Sequence, residues 1–438
     1  MEWLGDVPEH WQWSQTRHLF DIVNGGTPTS SEKSYWDGDI EWFTPDDLGR
    51  NHSMRISGSR RKITQDGIQN SSARMSPKGA IILSTRAPIG HLAVIDVAAA
   101  TNQGCRTLVP IFKANSCFFY YSLLASRDVL QSLGKGSTFM ELTPDDLGSH
   151  PVPLPSLSEQ QAIAGFLDRE TARVDALVEK KQQLIERLAE YRTALITQTV
   201  TKGLPPDVAA AEGFNPAPSL KPSGVEWLGD VPEHWEVKRA KYASKIIMGQ
   251  SPPSDAYNDE QVEQAFLQGN AEFGALHPKP KWYCDAAIKV VAAGTILLSV
   301  RAPVGELNVA DKNYGIGRGL CGLQTISKYL NRQFAWWALH TARQELEHQA
   351  VGSTYDAVSV AEVACLSLPL PPLSEQRAIA EFLDRETERI DALSARVETA
   401  IERLQEYRTA LITAAVTGKI DVRGFVGVET ADIGTVAK

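Results

Sequence analysis

Two arginines combine a useful side chain with a repeated setting. Arg86 and Arg301 each open an Arg-Ala-Pro-[Ile/Val]-Gly segment. Each follows a short β-rich apolar run (Gly79–Thr85, Gly294–Val300) and precedes another (Leu92–Val97, Leu307–Ala310), a pattern that predicts strand, exposed loop, strand. A forked guanidinium on such a loop suits a phosphate or a guanine edge. It equally suits a salt bridge that locks the loop, and the residues alone leave both readings open. Asn102, Gln103 and the hydroxyls of Ser137, Thr138, Ser353 and Thr354 could bond base edges or phosphates, or simply shape turns.

The formal net charge of −9 opposes a polyanionic partner only if it is spread evenly. It is not. Between Arg50 and Lys135 there are eight Arg and four Lys against three Asp and no Glu, a local +9. A basic segment on an acidic framework is compatible with one face of a duplex, or with a solvated surface of unrelated charges. Arg60, Arg61, Lys62 and Lys135 from this segment, with Thr27 and Arg318, complete the candidate nucleic-acid contacts.

Catalytic patterns are missing. Gly134-Lys-Gly-Ser-Thr138 has the wrong order for a phosphate loop, and no HExxH, Cys/His cluster or Gly-x-Ser-x-Gly elbow occurs. Paired aspartates in Thr44-Pro-Asp-Asp-Leu-Gly49, recurring as Thr143–Gly148, suit helix N-caps better than a metal site. The five scattered cysteines form no CxxC pair and read as reduced thiols. No signal peptide and no apolar run of about 20 residues is visible, so a cytoplasmic protein without catalytic site, metal or membrane contact is expected.

What holds these residues is a duplication. Trp3-Leu-Gly-Asp-Val-Pro-Glu-His-Trp11 recurs unchanged as Trp227–Trp235, and Pro153–Gly203 matches Pro369–Lys419 at about two positions in three. The stretches Gln12–Met75 and Glu236–Ala287 share little beyond a turn, Gly25-Gly-Thr-Pro against Gly249-Gln-Ser-Pro. One frame with two divergent inserts suggests two readers on a common mount. Domain helices are predicted over Cys117–Leu133 and Asn331–Val351, and Trp11, Trp235 and at least one of Trp336 and Trp337 read as packing residues.

The matched C-terminal part of each half predicts a long helix. Ser158 to Gln161 reads as a capping box, and Ser374 to Arg377 as its imperfect copy. Three- and four-residue steps run through Leu167, Glu170, Val174, Leu177, Lys181, Leu184, Leu188, Tyr191 and Leu195. The copy runs through Leu383, Glu386, Ile390, Leu393, Val397, Ala400, Leu404, Tyr407 and Leu411. Sustained spacing of this kind is a coiled-coil signature, and each helix is expected to pair with the other, antiparallel. Glu170 and Glu386 could fix register or bind a second protein.

The two Trp-x-x-x-Val-Pro-x-x-Trp segments, the two Pro-Leu-Pro-x-Leu-Ser-Glu-Gln…Glu-Tyr-Arg-Thr-Ala-Leu-Ile-Thr helices and the ending Val416–Arg423 together resemble the type I restriction–modification specificity subunits. The resemblance covers nearly the whole chain. It implies an α+β fold of two mixed α/β target-recognition domains, 1–152 and 225–368, separated by helices 153–203 and 369–418 in an antiparallel coiled coil with an internal pseudo-twofold repeat. A Pro/Ala-rich, extended linker would span 204–224 and a tail 419–438. It also implies that each domain reads half of a bipartite double-stranded DNA target. The helices would set the spacer and dock two modification (methyltransferase) subunits, and through them the restriction (translocase/nuclease) subunits. S-adenosylmethionine, ATP and Mg would belong to those partners, with no cofactor in this chain. A coiled-coil protein scaffold, or a fused methylase or nuclease, are the rival classes.

Overall fold

The computed structural model describes residues 3–136, 140–253, 256, 258–260, 264–284, 287, 289–350 and 357–422. The chain divides into two units, 1–182 with 399–438 and 183–398, so each long helix is shared between them. The first helix runs Leu157–Lys202 and the second Leu373–Val416.

In the first unit a five-stranded sheet has the order Phe20–Asn24, Cys105–Pro110, Ile81–Ser84, Leu92–Ile95, Arg55–Ile56. Ile81–Ser84 is buried along its whole length, which is why Ile-Ile-Leu reads as a continuous apolar run rather than an alternating one. A three-stranded sheet joins Lys62–Ile63, Trp36–Phe43 and Ala99–Thr101. The second unit repeats this plan with two four-stranded sheets. One has the order Ser244–Met248, Leu320–Thr325, Ile296–Ser299, Leu307–Val309, and the other Trp282–Tyr283, Ala265–Leu267, Tyr314–Ile316, Val290–Val291.

Each predicted domain helix is two helices. Ser116–Ala125 and Arg127–Ser132 break at Ser126, whose hydroxyl donates to Leu123 O and bonds His150 Nε2. Arg332–Thr341 and Arg343–Ala350 break at Ala342. Trp11, Trp235 and Trp337 are core residues as the sequence suggests.

The linker is not extended. Pro206–Ala211 is a helix with proline in its first turn, where the missing N–H costs nothing, and it buries Ala209 in the second unit's core. Leu220–Pro222 then pairs antiparallel with Asp230–Pro232.

The long helices are antiparallel. In the first unit Ile163, Phe166 and Leu167 share a core with Leu411, Ile412 and Ala415. In the second, Ile196 and Val200 share one with Ile379, Phe382 and Leu383. The same bidentate ion pair occurs in each unit. Arg408 Nε and Nη2 reach Asp175 at 2.8 and 3.2 Å, and Arg192 Nε and Nη2 reach Asp391 at 3.0 and 3.4 Å.

The seam differs from the expected one at five of the alternate positions. Leu167, Val174, Lys181, Leu188 and Leu195 do turn inward, wholly or in part. Between them Thr171 is buried with Glu170 half-buried beside it, whereas Val178, Ile185 and Arg192 are half-buried where Leu177, Leu184 and Tyr191 are exposed. Leu177 is 42% exposed and Tyr191 58%. In the copy Ser394 and Arg408 are half-buried where Leu393 and Tyr407 are exposed, while Glu386 and Ala400 are half-buried beside Thr387 and Ile401. Apolarity could not choose between adjacent Leu177 and Val178, or Leu184 and Ile185. The choice falls to Arg192 and Arg408, which can lie in the seam because an aspartate meets each.

The helix start also differs. Ser156, not Ser158, is the N-cap, and its box partner is Glu159: Ser156 N–H donates to Glu159 Oε2 at 3.1 Å, and Glu159 N–H to Ser156 Oγ at 3.4 Å. In the copy Pro372 stands at that position, its carbonyl accepting from Gln376 N–H at 2.9 Å. Arg377 therefore replaces no cap.

One buried group makes the first unit pH-sensitive. His150 is 2% exposed, and burial pushes its pKa down to about 4. The neutral ring is favoured in the fold and the charged ring in the unfolded chain. Stability is therefore full above the ordinary histidine value and falls as pH drops from about 6.5 toward 4. Between pH 7.5 and 5 the loss is expected to be about 2 kcal/mol. Leu366 stands at the matching place in the second unit, so His150→Leu should flatten this part of the profile in denaturant titrations of the full chain. An unchanged slope in the variant would assign the loss to other groups.

Candidate nucleic-acid interface

The unchanged nonapeptides and the Ser-Glu-Gln motifs explain each other. At the first helix start, Glu159 Oε1 accepts from Trp11 Nε1 at 3.2 Å and bonds His10 Nε2 at 2.7 Å. At the second, Glu375 Oε2 bonds His234 Nε2 at 2.9 Å. The neighbouring glutamines hold the domain helices. Gln160 Oε1 accepts from Asn115 N–H at 3.0 Å, and Gln376 Oε1 from Asn331 N–H at 2.7 Å. Asp168 accepts from Tyr121 Oη, and Asp384 from Trp337 Nε1, both at 2.9 Å. Each domain is thus bolted to a helix start by side chains that capping arguments alone do not identify. Their identity in both copies was the available signal.

On this frame each unit carries one exposed turn with the same backbone bonds. In the first unit Asn102 N–H donates to Phe43 O at 2.9 Å, Cys105 N–H to Asn102 O at 3.1 Å and Thr85 N–H to Gly104 O at 2.8 Å. In the second, Gly317 N–H donates to Leu267 O at 2.7 Å, Leu320 N–H to Gly317 O at 3.0 Å and Val300 N–H to Gly319 O at 3.0 Å. Glycine is required beside both turns: a Cβ on Gly25 would lie 1.9 Å from Asn102 O, and one on Gly249 2.1 Å from Gly317 O. The exposed tip is Gln103 in one unit and Arg318 in the other. Thr27 Oγ1 donates to Gln103 Oε1, whereas Ser251 Oγ accepts from the backbone N–H of Arg318 at 3.2 Å. Asn102 turns back, its Oδ1 accepting from Gly104 N–H at 2.9 Å.

The loop arginines sit against these turns in different electrostatic settings. Arg86 N–H reaches Gly104 O at 3.4 Å, and its Nε donates to Glu141 Oε2 at 3.2 Å. Glu141 also meets Arg106 at 3.5 Å. Burial draws the Arg106 pKa below the ordinary arginine value, with Glu141 opposing. In the second unit the equivalent backbone bridge joins Arg301 to Ala357, which offers no carboxylate. Arg301 and Arg318 instead line a polar cleft of about 590 Å³ with Gln268, Asn270 and Glu272.

The other basic candidates are partnered inside their domain. Arg60 pairs with Asp46, Lys62 with Glu41 at 2.7 Å and Lys135 with Asp146 at 2.8 Å. Arg61 lies 3.7 Å over the Trp36 ring. Exposed pairs of this kind are worth about 0–1 kcal/mol, so a stronger anionic partner can open them. Ser137, Thr138, Ser353 and Thr354 lie outside the described residues. The paired aspartates lie in the first turns of capped helices: Thr44 is an N-cap whose box Asp47 completes, and Thr143 Oγ1 caps the other by accepting from Asp146 N–H at 3.1 Å. Among the described residues no group of three or more His, Cys, Asp or Glu is placed to hold a metal ion, and no helix is long and apolar enough to cross a membrane.

Comparison with known proteins gives the same architecture. The type I restriction modification DNA specificity domain matches residues 8–187 and again 232–403. The type I restriction enzyme MjaIX specificity subunit of Methanocaldococcus jannaschii is 26% identical, over 96% of this chain and 95% of its own. The HsdS subunit from Thermoanaerobacter tengcongensis superposes with a TM-score of 0.57 at 27% identity, covering 95% of this chain and 98% of that one. A chain from a type I R-M system, solved to explain complex assembly and conformational transition, reaches a TM-score of 0.72 at 26% identity, covering 95% of this chain and all of its own. Matched in both repeats, this chain belongs to the type I restriction–modification specificity subunits, the non-catalytic family that carries the DNA target-recognition domains.

Proposed function

We propose that each mixed domain reads one half of a bipartite double-stranded DNA target, and that the long helices set the unread spacer and dock two modification subunits. Restriction subunits join through these, and S-adenosylmethionine, ATP and Mg are bound by the partners. The observation that carries this reading is the exposed turn built by the same backbone bonds in both units but tipped with different side chains. A duplicated scaffold with unlike tips suits two readers of unlike sequences. Leu177, Leu184, Tyr191, Leu393 and Tyr407, turned outward on the helices, supply apolar area for docking.

The two loop arginines test the two-reader arrangement. Arg301→Ala should weaken recognition of one half-site only, and Arg86→Ala the other. The Arg301 loss is expected to be the larger, since Arg86 must leave Glu141 to reach DNA. A base contact would cost about 1–3 kcal/mol, whereas a phosphate contact would lower affinity evenly across sequences and reduce the salt slope. Methylation of half-site mutants by the assembled complex reads this directly. Equal relaxation at both half-sites in either variant would contradict the arrangement.

A further inference from the structure

We propose that Gln103 and Arg318 are the matched specificity-determining residues of the two domains, Gln103 selecting an adenine in one half-site and Arg318 a guanine in the other. This rests on the reading of each domain as a half-site reader. The two residues occupy the same position of the same turn, because the three backbone bonds that close one turn each have a counterpart in the other. Both side chains are exposed, at the first residue after the carbonyl that closes the turn.

Their chemistry differs in the way base edges differ. A glutamine amide can accept from adenine N6 and donate to N7, and a guanidinium can donate to guanine O6 and N7. The Gln103 amide is already aimed. Its Oε1 accepts from Thr27 Oγ1, and a carbonyl oxygen has a second lone pair left for the adenine amino group. Thr27 is therefore a positioning residue. In the second unit Ser251 instead bonds the backbone N–H of Arg318, leaving the guanidinium free of that hydroxyl. Arg318 lines a cleft whose other cation is Arg301 and whose acid, Glu272, accepts from Gly269 N–H; among the described residues neither arginine has an ion-pair partner. A cleft with two such guanidiniums suits an acceptor-rich guanine edge. The first unit, where Glu141 holds Arg86, suits a base that both donates and accepts.

The test uses the full chain assembled with its modification subunits, whose wild-type methylated motif is determined first. Gln103→Arg should turn one A·T pair of one half-site into G·C, and Arg318→Gln should do the reverse in the other. The preference at that pair should change at least about tenfold, equivalent to 1.4 kcal/mol. Gln103→Ala and Arg318→Ala, which add no bulk, should relax the same single pairs. Binding of the purified complexes to duplexes varied one pair at a time gives the answer even where methylation is lost. Unchanged preference at every pair in both alanine variants would overturn the assignment, as would a uniform loss on all duplexes. Wild-type complex on duplexes with one half scrambled separates the two levels. If scrambling costs affinity while the alanine variants read as before, only the assignment falls. If scrambling costs nothing, half-site reading itself falls.

Discussion

Trp235→Ala is expected to destabilise the second unit by about 3–5 kcal/mol, the cost of deleting a fully buried indole. The ring belongs to the core that joins the two helix ends of that unit to its mixed domain, so its loss leaves a cavity that cannot collapse from one side. Its Nε1 has no hydrogen-bond partner among the described residues, so Trp235→Phe gives up area and volume but no hydrogen bond. That variant should cost markedly less. Trp11 differs, because its Nε1 donates to Glu159, and Trp11→Phe strands part of that carboxylate's hydrogen bonding. Denaturant titration of the full chain, with hydrogen exchange to locate the change, should place the Trp235→Ala loss in residues 183–398. In the assembled complex the same variant should blur one half-site and spare the other. A shift below about 1 kcal/mol would mean that the nonapeptide rests on the helix ends without wedging them.

How far such sites could be read from the sequence depended on whether one residue type had one plausible job. The duplication, the buried strand Ile81–Ser84, the Thr-capped aspartates and the packing role of Trp11 and Trp235 were legible because periodicity or chemistry allowed little else. The seam was half legible: Leu167, Val174 and Leu188 were placed, but adjacent apolar residues at 177–178 and 184–185 left the alternate positions undetermined. The aspartates that admit Arg192 and Arg408 to the seam lie on the other helix, so no local pattern could reveal them. The roles of Glu159 and Gln160 in holding the domain were not legible, because their partners there, His10 and Asn115, are more than forty residues away in sequence. For the DNA-facing residues the sequence offered types without pairings. No local pattern names Glu41 and Asp146 as the partners of Lys62 and Lys135, and only matching backbone bonds make a pair of the tips Gln103 and Arg318.

Lengthening both helices by one heptad should lengthen the unread spacer, if the helices are its ruler. Seven residues inserted after Gln182 and seven after Glu398, where the two units divide, keep the seam in phase because a heptad returns each side chain to its face. The Asp175–Arg408 and Arg192–Asp391 pairs lie outside the insertion and stay matched within their own units. Each helix grows by about 10 Å at 1.5 Å per residue. That is close to three base pairs at roughly 3.4 Å each. The expected methylome keeps the bases read in both half-sites and carries a spacer longer by about three pairs. Three pairs also turn the duplex by nearly a third of its helical repeat, so slower methylation is expected. A four-residue insertion in the first helix alone is the contrasting variant. With the second helix unchanged, the Asp175–Arg408 and Arg192–Asp391 pairs can no longer both form in phase, which should impair assembly rather than reset the spacer. A heptad variant that methylates at the original spacing would remove the helices as the ruler and leave the modification subunits to set the distance.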